Sequence, residues 1–317
     1  MANVYPTDVD RLIPVHHKTD KVPYVSDWKL HLWIIIHSAI PLFLHQLIAT
    51  ATGHNFGHVG AYMFYYFGSR IFVIREMRSL RELGHQYGFL DGDSHERDGV
   101  PDVGVNKVLR SGLFAGLGRP LLLICLAYDA NTPPAGTNWT WLLVELSLYG
   151  IVLDFWFYWY HRVMHEVTAL WKYHRTHHLT KHPNPLLTIY ADHEQEFFDI
   201  VGIPFMAYAT MKIMGLPMGF YEWYICNQYL QFSELVGHSG LRLSITPPNP
   251  LTWLMRILDM DLVVEDHDLH HRRGWRRSFN YGKQTRIWDR VFGTCADRVE
   301  TKMENIDYAA NVRIPYI

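Results

Sequence analysis

Apolar residues in this chain run in long blocks rather than in alternation. Leu30–Ala49 contains no Asp, Glu, Lys or Arg. At about 1.5 Å of helical rise per residue it nearly crosses a bilayer core of about 30 Å. Shorter blocks follow at Tyr62–Ile74 and Leu113–Tyr128. A further long one, Trp139–Tyr160, carries Trp139, Trp141, Trp156 and Trp159 near its ends, as an interfacial aromatic belt would. The block Phe197–Phe232 is broken at Gly215-Leu216-Pro217, so each half is short and the pair reads as a shallow helical hairpin. The pattern predicts an all-α polytopic membrane protein with about four long transmembrane helices plus that hairpin. The competing reading is a soluble all-α protein with buried core helices, which a mean hydropathy of only −0.08 favours. No internal repeat or low-complexity tract interrupts the chain.

Charge placement orients the helices. Arg70, Arg75, Arg78 and Arg81 cluster at and after the second block, while the linker 131–138 has no Lys or Arg. The excess of basic residues on cytoplasmic loops then puts 75–110 in the cytosol, and everything after Tyr160 emerges on the same side. The N-terminus has no basic segment followed by an apolar run and does not read as a cleavable signal peptide. The expected organisation is a cytosolic segment over 1–28, transmembrane helices with a cytosolic loop over 29–150, a chemical region over 151–300 forming a helical cap, and a tail over 301–317.

Composition narrows the function classes. Charged residues make up 19% and aromatics 15%, which excludes an intrinsically disordered chain. A formal net charge of −2 supplies no field for nucleic acid. Cys125, Cys226 and Cys295 are odd in number and far apart, so they make neither a disulfide framework nor a cysteine zinc module. Histidine is the outlier, with 20 copies.

Eleven of those histidines lie between His161 and His271, in ordered spacing. His161 and His165 form HxxxH. His174, His177 and His178 form HxxHH, and His267, His270 and His271 form a second HxxHH. His193 and His238 stand singly between the clusters. On a helix, positions i, i+3 and i+4 share a face, so each cluster is expected to project together. Eight clustered imidazoles and two single ones exceed the four ligands of a structural zinc and suffice for two metals with open positions. Neutral imidazole suits iron, zinc, copper and nickel alike.

Asp154 lies seven and eleven residues before His161 and His165, within about 20° of one helical direction. A carboxylate there is expected to accept a ring N–H from a ligating histidine and fix its tautomer. Glu196, three after His193, and Glu234, four before His238, are candidates for the same task. His54 and His58 also spell HxxxH, but in a Gly-flanked turn on the opposite side, and read as structural. His182 falls among Pro183 and Pro185 and reads as a loop residue.

At these residues the chain resembles the fatty acid hydroxylase / sterol desaturase superfamily of integral membrane di-iron enzymes. DFWFYWYHRVMH, LWKYHRTHH, IYADHEQEF, GHSG at 237–240 and HDLHH at 267–271 resemble its histidine boxes, and NYG at 280–282 with WDRVFGT at 288–294 its C-terminal signature. Glu194 stands where the family often has proline. The resemblance covers roughly 154–294 and makes 151–300 a fatty acid hydroxylase-like histidine-box domain. It implies His161, His165, His174, His177, His178, His193, His238, His267, His270 and His271 as ligands of two iron ions, with O2 as co-substrate. It further implies a lipid-like substrate, surrounding membrane lipid, a site facing the cytosol from the endoplasmic reticulum membrane, and a separate electron donor (cytochrome b5 or a reductase using NAD(P)H). The expected activity is hydroxylation of a sterol, fatty acyl, sphingoid or terpenoid-type molecule. Desaturation or aldehyde deformylation is the alternative within the superfamily, and a zinc-binding membrane protein the non-enzymatic one.

Overall fold

In a computed structural model the described residues are 13–276 and 278–316. They form an all-α structure with one two-stranded parallel pairing, β1 (Val22–Pro23) on β2 (Ile306–Asp307). Four long helices come first: α1 (Asp27–Thr52), α2 (His58–Tyr87), α3 (Val105–Ala127) and α4 (Leu142–Glu166). Then α5 (His193–Phe197) continues through a π-helical turn at Phe198–Gly202 into α6 (Ile203–Ile213), and α7 (Phe220–Gly237) follows. Three short helices close the cap: α8 (Thr252–Ile257), α9 (Val264–Arg273) and α10 (Ile287–Phe292). The expected N-terminal segment 1–28 lies outside the described residues for its first twelve positions.

α7 is the central pillar. It is buried along nearly its whole length and packs against α1, α2, α3, α4 and α9. A helix apolar on all sides is a core helix, and α7 departs from that rule at Asn227, Gln228, Ser233 and Glu234, which are buried polar groups. α6 and α7 make the hairpin predicted from Phe197–Phe232, turning at Gly215 with φ +86°. Close packing elsewhere depends on a missing side chain. A Cβ on Gly68 of α2 would come within 3.1 Å of Pro41 in α1.

Among the described residues, three segments are long and apolar enough to cross a membrane: Asp27–Thr52, Val105–Ala127 and Trp139–Glu166. The second apolar block belongs to a helix of 30 residues, α2, whose later half carries Arg75, Glu76, Arg78, Arg81 and Glu82. Composition therefore removes it from the set of spans expected from the sequence, although its length would suffice.

The cap is tied to its histidine helix by buried carboxylates at the start of α9. Glu265 accepts from the backbone N–H of Val299, Glu300 and Thr301 at 2.7–3.0 Å, and Asp266 pairs with Arg298 at 2.8 Å. Buried Arg242 binds Glu300 at 2.8 Å and donates to the carbonyls of Asp20 and Lys21. Residues 299–301 are thereby joined to α9, and β2 joins the tail beyond them to β1.

Candidate metal centre

α4 carries His161 and His165 one turn apart at its C-terminal end, α7 ends on His238, and α9 presents His267, His270 and His271. The segment bearing His174, His177 and His178 is not the helix its spacing predicts. It is a chain of 3-10 turns at Trp171–Tyr173, His177–Leu179 and Pro185–Ile189. Pro183 and Pro185 deny a following helix, so no long hydrogen-bonded ladder forms there.

Nine buried histidines gather into two sets. His161, His165, His174, His178 and His270 form one, and His177, His238, His267 and His271 the other, with ring nitrogens within 4.8 Å of one another in each. Neither HxxHH projects as a unit. His174 and His178 enter the first set while His177 enters the second, and His267 and His271 enter the second while His270 enters the first. His193 joins neither. Its side chain is 60% exposed and its Nδ1 lies 3.4 Å from Glu196. A looser trio, His95, Asp98 and His182, sits in the cap, where His182 Nε2 pairs with Asp91 at 2.9 Å.

The outer ring nitrogens fix the tautomers. Nδ1–H donates to a backbone carbonyl from His161 (Tyr281, 2.8 Å), His238 (Glu234, 2.8 Å), His270 (Phe279, 2.7 Å), His271 (Thr180, 3.1 Å) and His177 (Tyr190, 3.3 Å). His174 donates to Gln195 Oε1 at 2.9 Å, and His165 Nδ1 meets Ser278 Oγ at 2.9 Å. The inward Nε2 atoms of these neutral rings are bare lone pairs. They nevertheless face one another, at 3.0 Å between His161 and His174 and 3.2 Å between His177 and His238, while His165 and His271 Nε2 are buried without partners. Lone pairs so opposed repel unless a cation lies among them. The donor set therefore fits bound metal. Five nitrogens exceed a tetrahedral shell, and neighbouring ligands at a metal–nitrogen distance of about 2.1 Å stand about 3.0 Å apart in an octahedron but about 3.4 Å apart in a tetrahedron.

The expected carboxylate partners act elsewhere. Asp154, fully buried, touches no ring; it accepts from the backbone N–H of Lys283 (2.8 Å), Gln284 (3.1 Å) and Thr285 (3.1 Å). Asp289, which the sequence did not single out, accepts from Tyr281 and Gly282 N–H at 2.9 and 2.8 Å. The two carboxylates clamp the NYG loop, and that loop presents the Tyr281 and Phe279 carbonyls to His161 and His270. Glu234 touches His238 only through its own carbonyl; its carboxylate pairs with Arg119 at 2.5 Å and Lys283 at 2.9 Å. Glu196 accepts from Ser111 as well as facing His193. Gly282 is required by the clamp: a Cβ would lie 2.5 Å from the Thr285 carbonyl and within 3.1 Å of both carboxylates. Gly282→Ala is expected to lower metal content and to cut turnover about 10–100-fold, the range for outer partners of ligands. Elemental analysis of the purified variant checks it, and a full metal complement would refute the clamp.

Beside the histidines lies a chamber lined by Phe157, Ile200, Asp199, Lys283 and five of the rings. A larger, mostly apolar cavity lies between α2, α3 and α7, with Val73, Met77, Gly112, Pro120 and Leu123 in its wall. The two share Ala115, Arg119, Thr188, Ile189 and Glu234 as a common partition. Burial outweighs all else on the rings: it lowers His174 to about 4 and His270 to about 3, against 6.5 for free imidazole. The unfolded chain therefore binds more protons below pH 6.5 than the folded one, so stability present above 6.5 is lost as pH falls through 4 and 3. Thermal melts over pH 7 to 4 should show a falling midpoint; a flat profile would contradict the neutral, buried state of these rings.

An all-α chain with membrane-length helices and nine convergent imidazoles defines a membrane metalloprotein of the histidine-box kind. The fatty acid hydroxylase family model matches residues 146–294. Fatty acid hydroxylase vlmA of a Lecanicillium species is 43% identical over 314 residues, 95% of this chain and 86% of that protein. Alkylglycerol monooxygenase of Xenopus tropicalis is 28% identical over 58% of this chain and 36% of its own length. Very-long-chain aldehyde decarbonylase GL1-8 of Oryza sativa is 30% identical over 52% of this chain and 57% of its own length. No solved structure matches. The chain belongs to the fatty acid hydroxylase family.

Proposed function

We propose that the protein is a membrane-bound, O2-dependent di-iron oxidoreductase that hydroxylates a hydrophobic, lipid-like substrate. The observation that carries this reading is the pair of buried imidazole sets opening onto a chamber that abuts an apolar cavity. The first set of five would hold one iron and the second set of four the other. Bound there, the irons would supply the oxygen activation that side-chain acid–base chemistry cannot, as cofactors do for the hardest bond cleavages. The balance is R–H + O2 + 2 e⁻ + 2 H⁺ → R–OH + H2O. The chain's own residues hold five of the nine rings in one tautomer through backbone carbonyl acceptors, exclude water with Phe157 and Ile200, and keep an Arg119–Glu234–Lys283 bridge beside the partition.

The apolar cavity and the names of the relatives support a lipid as substrate. The basic cluster ending α2 supports a site on the cytosolic side, in keeping with an enzyme of the endoplasmic reticulum membrane. Electrons come from a separate donor, cytochrome b5 or an NAD(P)H-dependent reductase. The relative named aldehyde decarbonylase supports deformylation as the second reading. The test is metal and product analysis of detergent-purified protein given reductant, O2 and a panel of lipids. Two irons and a product heavier by one oxygen are expected. Loss of two hydrogens would make it a desaturase, and one tightly held zinc with no O2 uptake would overturn the enzymatic reading.

A further inference from the structure

We propose that the cap surface around Trp275 and Trp171 is the docking and electron-entry site for an acidic one-electron carrier protein. This rests on the oxygenase reading above. The histidine sets are buried, so reducing equivalents must reach them through protein. A short aromatic series provides the route. Trp275 is 40% exposed and stacks on Trp171 with ring centroids 6.0 Å apart and planes 19° from parallel. The Trp171 ring lies 5.1 Å from that of His165 and 5.6 Å from that of His178, both members of the five-histidine set. Tunnelling rates fall steeply with the gap between donor and acceptor, so a carrier seated on Trp275 reaches the centre by the contact of one further ring.

The same surface is basic. Arg276 lies over the Trp275 ring at 4.3 Å and also donates to Thr168 at 3.1 Å. Exposed Lys172 covers Tyr173 at 4.6 Å, exposed Arg273 covers Phe279 at 5.3 Å, and Lys181 Nζ lies against Gly274. Exposed Arg175 follows Trp171 on the next turn. These five cations have no carboxylate partner among the described residues, whereas neighbouring Arg272 is taken up by Asp91 and Asp268. Unpaired charge of one sign around an aromatic centre steers and registers a partner of the opposite sign. An anchor for anionic lipid headgroups would also use tryptophan and cations. It would have no need of a ring route leading inward from that surface, and this favours the carrier. Each carrier delivers one electron and leaves oxidised, two are consumed per product, and the tryptophans end unchanged.

The experiment uses metal-loaded protein in detergent, with the reduced haem domain of cytochrome b5 as carrier and dithionite as an alternative reductant. Haem reoxidation is followed by absorbance, and product is measured with each reductant. The double variant Lys172→Glu, Arg276→Glu is expected to need about tenfold more carrier for half-maximal rate at low salt and to lose the salt dependence of that rate. Trp275→Ala should lower the maximal reoxidation rate. Both variants should keep wild-type metal content and dithionite-driven product. Unaltered carrier and salt dependence in the double variant would overturn the docking site and leave a headgroup anchor. An unaltered maximal rate in Trp275→Ala would overturn the entry route. Wild-type protein giving no product with either reductant would instead overturn the oxygenase reading.

Discussion

His270→Ala is expected to reduce product formation by more than about a hundredfold, while His193→Ala changes it by no more than about twofold. The first figure follows because even partners that merely orient a ligand are worth about 10–100-fold, and His270 would be a ligand itself. Its ring enters the five-histidine set although both neighbouring box residues enter the other, and its Nδ1 is fixed by the Phe279 carbonyl. Removal leaves His178 Nε2, 3.1 Å away, without that neighbour. The second figure follows because His193 is largely exposed, and surface substitutions move free energy by only about 0.5 kcal/mol. Metal content and product yield of the two variants decide the matter. Equal losses in both would mean that His193 swings into the centre.

Ala115→Phe is expected to stop turnover of a long-chain substrate while sparing the metals. Ala115 lies in the partition shared by the apolar cavity and the histidine chamber, on the face of α3 that also bears Gly112. That face is already close: a Cβ on Gly112 would come within 3.1 Å of Ile189. A phenyl ring there projects into the partition and obstructs any crossing between the two cavities, and misplacing a substrate by about 1 Å typically costs about a hundredfold. Iron content and thermal midpoint measured beside product separate blockage from misfolding. Normal turnover with the ring in place would mean that substrate arrives by another path.

Much of this arrangement was legible in the chain because it is local. Runs of apolar residues announce long helices, and an i, i+4 pair such as His161 and His165 shares a face wherever α4 lies. Among the features that were not legible, three have a clear physical reason. The partners of the histidines are chiefly backbone carbonyls, which every residue carries, so no side-chain identity marks Tyr190 or Thr180 as an acceptor. Asp154 sits at the predicted angle, yet the loop at 283–285 reaches it first, over about 130 residues of intervening chain. The third concerns backbone conformation. Phe279 and Asn280 adopt φ of +60° and +49°, outside what side-chain patterns predict, and Asn280 is held there by Asp266 and Ala296. Gly282 and Asp289 did leave a trace, as parts of the NYG and WDRVFGT signatures, but only folding shows that they meet.

The crossed membership of the two HxxHH segments has a consequence for how such a protein can change over time. Each segment feeds both sets of rings, two members to one and one to the other. Inserting or deleting a single residue inside either would misdirect rings of both sets together. A change of length within either pentapeptide therefore reaches both sets of rings, whereas one in the loops outside them leaves the crossed arrangement intact.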